Sequence, residues 1–433
     1  MLSNSRVGAA CVVPPRVQDS HSRPDWCSPR PAGWYCLAGL ILVQIPSRIL
    51  ELDLPPFDPL NTRAAQLRAS GHDVISLGQA LPFYPPPASA LRAAHAALEQ
   101  PAVHGYTTDP GRPSLRRALA ERLRDDEGID CGPDDLMITA GANHAFTTAL
   151  MTLVSAGDEV VLPAPYFTNH QMAVQAVGAV AVEAPVADRE SYCVTWDDIA
   201  PALTERTRAV VLCNPSNPTG APVTADTGTR IVSELASRDI LVISDETYMH
   251  FVYRGRHWSA ASVAGWRRNV VVIGTFSKSF AMMGWRVGYM LADAPVCVHA
   301  TTVQDAMIIC APTISQIAAE AAVRDDWNYP RTFHAKLLER RARLSDGLKQ
   351  AAGISWTPTH GGFFAFVRVD GCTDSNALAL RLLEEAHVVT IPGSSFGRSG
   401  EGCLRLSYGS VDAEALTVAV DRLTSFVGGS GVI

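Results

Sequence analysis

Between Gly274 and Met290 the chain reads GTFSKSFAMMGWRVGYM, which sets Lys278 between two serines just after the apolar run NVVVI and places Arg286 eight positions further on. A surface loop accounts for a lysine flanked by small polar residues. It does not account for the buried-looking run before it or the Gly284-Trp285-Arg286 turn after it. Three other apolar runs end in similar polar clusters: LMIT runs into Ala140-Gly141-Ala142-Asn143, AVVLC into NPSNPTG with Asn217, and ILVIS into Asp245-Glu246-Thr247-Tyr248. Each cluster acquires a task if the ligand is a phosphorylated, electron-withdrawing pyridine aldehyde.

A helix opening on small residues offers backbone N–H groups and its dipole to a phosphate, so Gly141, Ala142 and Asn143 suit that end, with Thr275, Ser277 and Arg286 completing the cradle. Lys278 can condense with the aldehyde as a Schiff base, give way to a substrate amine, and then serve as general base at the α-carbon. A nearby cation and partial burial favour its reactive neutral amine. Asp245 suits the ring nitrogen, which a buried carboxylate keeps protonated. Asn217 and Tyr248 can hydrogen-bond the ring's phenolic oxygen, and Phe167 in PAPYFTNH can cover one ring face. Singly these features have plain readings: a solvated strand-end carboxylate, a turn, a helix start. Their order, spacing and shared strand-end setting carry the joint reading.

Such an arrangement needs a sheet with its strand ends along one edge. From Pro55 onward, apolar runs alternate with helical patterns: LMITA, GDEVVL, AVAVEAPV, AVVLC, ILVISD and NVVVIG, with helices between Pro113 and Gly157, near His170 to Val177 and near Ala225 to Ser237. That alternation predicts an α/β fold whose large domain has three layers, a mostly parallel sheet flanked by helices, with ligands at the carboxyl ends of the strands. After about Ala300 come helices near Thr313 to Val323 and Arg331 to Ala352, then GGFFAFVRV, a helix near Ser375 to Ala386, and LRLSYG. These predict a smaller α+β domain completed by the N-terminal arm, which contains a helix from Asn61 to Ser70 and the strand VISLG. The expected division is an extension over 1–50, an arm over 51–75, a large domain over 76–300 and a small C-terminal domain over 301–433.

The 433 residues are 47% hydrophobic, with a formal net charge of -7, enough for a large core and without the basic field that draws nucleic acid or an anionic membrane. Ten scattered cysteines, none in a C-x-x-C pair, read as reduced thiols in a cytoplasm, with no disulfide framework and no metal site. Residues 1–50 are rich in Pro, Ser and Arg. Their apolar run from Trp34 to Ile45 is too short to span a bilayer, and no cleavage site for a secretory signal is evident, so the segment reads as a disordered extension or the product of an upstream start codon.

NPSNPTG, SDETY and FSKSFAMMGWRVGY resemble the signatures of the class I/II aminotransferases, the aspartate aminotransferase-like enzymes of fold type I that depend on pyridoxal 5′-phosphate. The resemblance runs from about Pro55 to Phe426. It implies that Lys278 is the Schiff-base lysine and that Arg286 binds the cofactor phosphate. It also implies that Arg405 in CLRLSYG grips the substrate α-carboxylate, and that Tyr106 in HGYTTDPGRPSLR reaches the phosphate of a neighbouring subunit in a homodimer. Ala80 stands where many relatives have a glycine near the substrate carboxylate, Thr275 replaces a commoner serine, and His170 is placed either to support Asp245 or to sit as a satisfied core histidine. The implied activity is ping-pong transfer of an amino group between an L-amino acid and a 2-oxo acid. A carbon–sulfur β-lyase is the alternative on the same scaffold, and a transcription regulator is a remoter one, since residues 1–50 are too short for a winged helix. Where bacterial relatives selective for dicarboxylic substrates can carry a lysine, this chain has Asn143, which points to uncharged donors.

Overall fold

The computed structural model of the protein describes residues 35–37, 41–43, 45–52, 54–349 and 351–429. By its contacts the chain divides between Leu50 and Glu51. In the first unit, β1 (Tyr35–Leu37) and β2 (Ile41–Val43) pair antiparallel within the apolar run, and one helical turn spans Ser47–Leu50. The rest of the expected extension lies outside the described residues. Among the described residues no helix is long and apolar enough to cross a membrane.

The second unit begins with the helix Phe57–Ala69 and β3 (Ile75–Ser76). Seven strands then form one sheet: β4 (Leu136–Thr139), β5 (Glu159–Ala164), β6 (Val180–Pro185), β7 (Thr207–Cys213), β8 (Leu241–Asp245), β9 (Val270–Thr275) and β10 (Gly288–Leu291). Their order is β4-β10-β9-β8-β7-β5-β6. The pairs from β9 through β6 are parallel, whereas β10 runs antiparallel to both its neighbours. The sequence pattern does not single out β10, because its four residues follow directly on the turn at Arg286. The apolar runs are continuous because successive residues point to opposite faces and both faces are covered. Val271 and Ile273 pack in one core with Phe146 and Leu150 of the helix Ala142–Leu153. Val270 and Val272 pack in the other with Leu115 and Leu119 of the helix Pro113–Asp125 and Ile231 of the helix Ala225–Ala236. Each such fully buried side chain contributes about 1.5–3 kcal/mol.

A second, antiparallel sheet has the order β11-β12-β15-β14, from β11 (Ile354–Ser355), β12 (Phe364–Val369), β14 (Ile391–Pro392) and β15 (Cys403–Ser407). Between them β13 (Val388–Val389) pairs in parallel with β3, and Leu60, Ala64 and Leu67 of the first helix pack against Leu383 and Val389. Residues 57–76 are therefore built into the C-terminal third. One helix departs from the expected grouping. Thr313–Asp325 buries Ala318, Ala319 and Ala322 in the core that holds Leu115 and Leu119, against Ala88–Leu98 and Pro113–Asp125, because its run of small residues lets the helices approach closely.

Candidate active site

Strands β7 and β8 end level, with Cys213 in register with Asp245, and β9 runs two residues past Ile273, the partner of Asp245, to Thr275. The polar residues that follow these ends surround a cleft of about 400 Å³. Lys278 lines its wall and donates from Nζ to the carbonyl oxygen of Ala80 at 2.6 Å. Burial, reinforced by the cations Arg405 and Arg286, pushes its amine down to about 8.

Asp245 is 5% exposed. Burial alone would raise its carboxyl, but His170 Nε2 at 2.9 Å from Oδ2 and the Thr247 backbone N–H at 3.0 Å from Oδ1 hold it below the usual carboxylate range. His170 is itself wedged between Phe146 and Phe167, with ring centroids 4.5 and 5.4 Å away. Phe167 lies just before the helix Thr168–Ala176 and lines the cleft. The sharp turns of NPSNPTG are tied by Gly220 N–H to Ser216 O at 2.7 Å and by Asn214, whose amide spans Trp258 O and Val223 N–H.

At the other end, Gly141 has φ +91° and precedes the helix Ala142–Leu153. A Cβ there would lie 2.4 Å from Arg286 Nη2, so only glycine lets the guanidinium sit across this helix start. Arg286 takes φ +50° after the turn Met283–Trp285 and donates to Met283 O and Ala140 O at 2.8 and 3.2 Å. Thr275 Oγ1 donates to Ser277 Oγ at 2.9 Å and accepts from Ser277 N–H at 3.1 Å. One cation, two hydroxyls and a helix N-terminus thus converge, the donor set of an anion site.

Arg405 on β15 is 2% exposed, and its guanidinium donates to Asn217 Oδ1 at 3.0 Å and to Gly78 O. The rings of Phe57, Phe364 and Phe396 surround it at 5.8, 5.3 and 5.2 Å, and its buried Nε has no protein partner. Burial lowers its pKa only to about 10, so it remains a cation at neutral pH. Burial raises the Tyr248 phenol far above its ordinary value, against the pull of Arg405, and keeps it a neutral hydroxyl.

Ala80, Ala142, Asn143, Asn217, Tyr248 and Arg405 line the same cleft as Phe167, Asp245, Thr275, Ser277, Lys278 and Arg286. Gly141 meets it through Arg286. Tyr106 does not line it and stands 78% exposed. The lining also includes Phe57, Gln79, Asn169, Cys213 and Thr247, which sequence reasoning did not select. Asn169 and Thr247 lie two residues beyond Phe167 and Asp245 and could have been found by extending those motifs. Phe57 and Gln79 carry no local signal.

The profile of the family described as aminotransferase class I and II matches residues 72–423. The chain belongs to the class I/II aminotransferases. The aminotransferase is 33% identical over 361 residues to an aspartate aminotransferase of Pyrococcus abyssi, covering 82% of this chain and 92% of that one. It is 33% identical over 354 residues to aromatic-amino-acid aminotransferase 2 of Thermococcus litoralis, covering 81% and 90%. Its structure resembles that of the aspartate aminotransferase from Thermus thermophilus with maleate, at a TM-score of 0.82 and 29% identity over 88% of this chain and 99% of that one. It therefore moves amino groups between amino acids and 2-oxo acids. These relatives are all transferases, which does not favour the β-lyase or regulator alternatives. Enzymes of this family generally depend on pyridoxal 5′-phosphate, and the aminotransferase's own residues fit that group. Its glycine-lined anion cradle, largely buried lysine and buried carboxylate meet in one cleft.

Proposed function

We propose that Lys278 holds pyridoxal 5′-phosphate and that the enzyme passes the amino group of an L-amino acid with an uncharged side chain to a 2-oxo acid by a ping-pong route, as a homodimer in the cytoplasm. The observation that carries this reading is the position of Lys278 Nζ in a cleft whose lining also includes Asp245, Arg286 and Arg405.

When bound, pyridoxal 5′-phosphate supplies an electron sink for charge developing at the substrate α-carbon. The chain's residues do the rest. Arg286, Thr275, Ser277 and the helix start at Gly141, Ala142 and Asn143 hold the phosphate. Asp245, kept ionised by His170 and Thr247, retains a proton on the ring nitrogen, while Asn217 and Tyr248 meet the ring's oxygen and Phe167 covers its face. Arg405 grips the α-carboxylate, with its Nε free of protein partners and one Nη held on Gly78 O. Lys278 Nζ, with its pKa pushed down to about 8, takes and returns the α-proton near neutral pH.

The uncharged side chain follows from the lining. Its cations are Lys278, Arg286 and Arg405, each with a task, while Asn143, Asn169 and Phe57 offer neutral surface. Burying a second carboxylate without a partner costs several kcal/mol, more than burying an unpaired neutral polar group. Tyr106, exposed on its own protomer, is available to reach a partner's phosphate. The free thiols among the described residues, buried Cys131, Cys297 and Cys403 included, suit a reducing compartment.

Incubation with one amino acid alone tests the reaction class: transamination gives stoichiometric pyridoxamine phosphate, whereas catalytic pyruvate and ammonia indicate elimination. Steady-state kcat/KM for phenylalanine, methionine and glutamine above that for aspartate supports the neutral pocket, and a clear preference for aspartate refutes it.

A further inference from the structure

Tyr84 lies 4% exposed in the stretch between β3 and the helix Ala88–Leu98. Its ring is stacked on Phe333, with centroids 4.0 Å apart and planes 4° from parallel, and meets Phe83 and Tyr329 edge-on at 5.5 and 5.8 Å. A phenylalanine would make the same ring contacts. What the hydroxyl adds is specific: Oη is 3.0 Å from the carbonyl oxygen of Lys278 and 3.0 Å from that of Ser279. Burial keeps the phenol neutral, so Tyr84 is a donor whose single proton is shared between two successive peptide oxygens.

The side chain of Ser279 is held as well. Ser279 Oγ lies 2.9 Å from His250 Nδ1, and burial pushes that imidazole down to about 3, so the pair is neutral. The stretch that carries Tyr84 also touches the far end of the lysine, since Ala80 O accepts from Lys278 Nζ at 2.6 Å. Two residues further back, Gly78 O accepts from Arg405. One short segment therefore fixes the lysine at its peptide and at its amine, and fixes the carboxylate-binding arginine as well.

We propose that Tyr84 is a positioning residue for Lys278: its hydroxyl holds the Lys278–Ser279 backbone so that Nζ stays at the reacting centre of the cleft. This rests on Lys278 being the cofactor lysine. The physical reason is distance, because a displacement of about 1 Å at a reacting group costs on the order of a hundredfold in rate. A buried peptide oxygen that has lost its donor costs about 1–3 kcal/mol, which favours a shift of that peptide toward another partner.

The test compares the full-length enzyme loaded with pyridoxal 5′-phosphate in three forms: wild type, Tyr84→Phe and Tyr329→Phe. Tyr329 belongs to the same aromatic cluster, but its hydroxyl donates to Pro85 O at 2.9 Å rather than to the lysine's backbone. Tyr84→Phe is expected to lower kcat about tenfold with KM close to wild type and only a modest fall in Tm, the cost of leaving the Lys278 and Ser279 carbonyl oxygens without this donor. It should also raise the pH midpoint of the bound cofactor's visible absorbance by about half to one unit, because a looser Nζ meets more water and less of Arg405 and Arg286. Tyr329→Phe should change neither. Equal kcat and equal spectral midpoints in the two variants overturn the proposal, as does a matched fall in kcat and Tm in both. Borohydride reduction of the wild type separates this failure from that of the underlying reading. A label on another lysine removes both, whereas a label on Lys278 with an unaltered Tyr84→Phe enzyme removes the role of Tyr84 alone.

Discussion

Lys278 Nζ donates a 2.6 Å hydrogen bond to the carbonyl oxygen of Ala80, joining residues 198 positions apart in sequence. The contact lays the stretch after β3 along the cleft and gives the amine a neutral acceptor instead of a carboxylate. A carboxylate there would hold the lysine charged. A carbonyl leaves burial and the two nearby arginines to favour the neutral amine that chemistry at an aldehyde requires.

In the cofactor-free protein Lys278 should react with an amine-directed reagent with a pH midpoint near 8, set by burial and by Arg405 and Arg286. Exposed lysines titrate at about 10.4. The sign for stability follows from the lowered value. Between about 8 and the unfolded lysine's value the unfolded chain binds more protons, so stability rises with pH across that window, and the cost of the buried charge is fully present below it. Competitive labelling with peptide mapping checks the midpoint; a value near 10.4 contradicts the burial argument.

Arg405→Lys should raise KM for the amino donor about ten- to a hundredfold. A lysine cannot reproduce the two directed bonds to Asn217 and Gly78 while presenting a fork to a carboxylate. Steady-state kinetics at saturating 2-oxo acid measure it, and an unchanged KM would place carboxylate recognition elsewhere.

Most of this centre is legible in the sequence because each strand is a continuous apolar run and the residues just past its end are the ones brought to the sheet edge. Lys278, Asp245 and Asn217 follow from that rule, and Gly141 from the helix that begins there. Phe57 and Gln79 do not, because they flank a segment, the helix Phe57–Ala69 and β3, whose path is set by pairing of β3 with β13 and by Leu60 and Leu67 packing on Leu383. The helix Ala88–Leu98 escapes a reading by periodicity because its buried face is Ala90, Ala94 and Ala97, residues that contrast little with its outer face. Tyr84 reads as part of a proline-rich loop, and only the folded chain brings its hydroxyl to the lysine's carbonyl.

Gly141→Ala should weaken cofactor binding and lower Tm. The added methyl would be forced to 2.4 Å from Arg286 Nη2 at φ +91° and ψ 173°, a backbone region essentially confined to glycine that alone costs another residue about 1–3 kcal/mol. Equilibrium dialysis of pyridoxal 5′-phosphate and thermal unfolding of the cofactor-free protein read the two effects separately. Wild-type affinity in the variant would show that Arg286 is not held against this helix start.

If the sites are shared between protomers, Tyr106→Phe should bind the cofactor several-fold more weakly although Tyr106 is 78% exposed on its own protomer. Mixing it with an inactive Lys278→Ala protein should then give more activity than the sum of the two. Sedimentation of a fully active monomer would exclude the arrangement.

Reducing the cofactor-loaded enzyme with borohydride and mapping the modified peptide shows whether Lys278 is the residue on which the transferase chemistry is built. One pyridoxyl group per chain is expected, on Lys278, in the peptide containing FSKSF, with loss of that label when the enzyme is first converted to its amino form by an amino acid donor. A label on any other lysine, or a Lys278→Ala protein that still turns over an amino acid and a 2-oxo acid at the wild-type rate, would contradict this assignment.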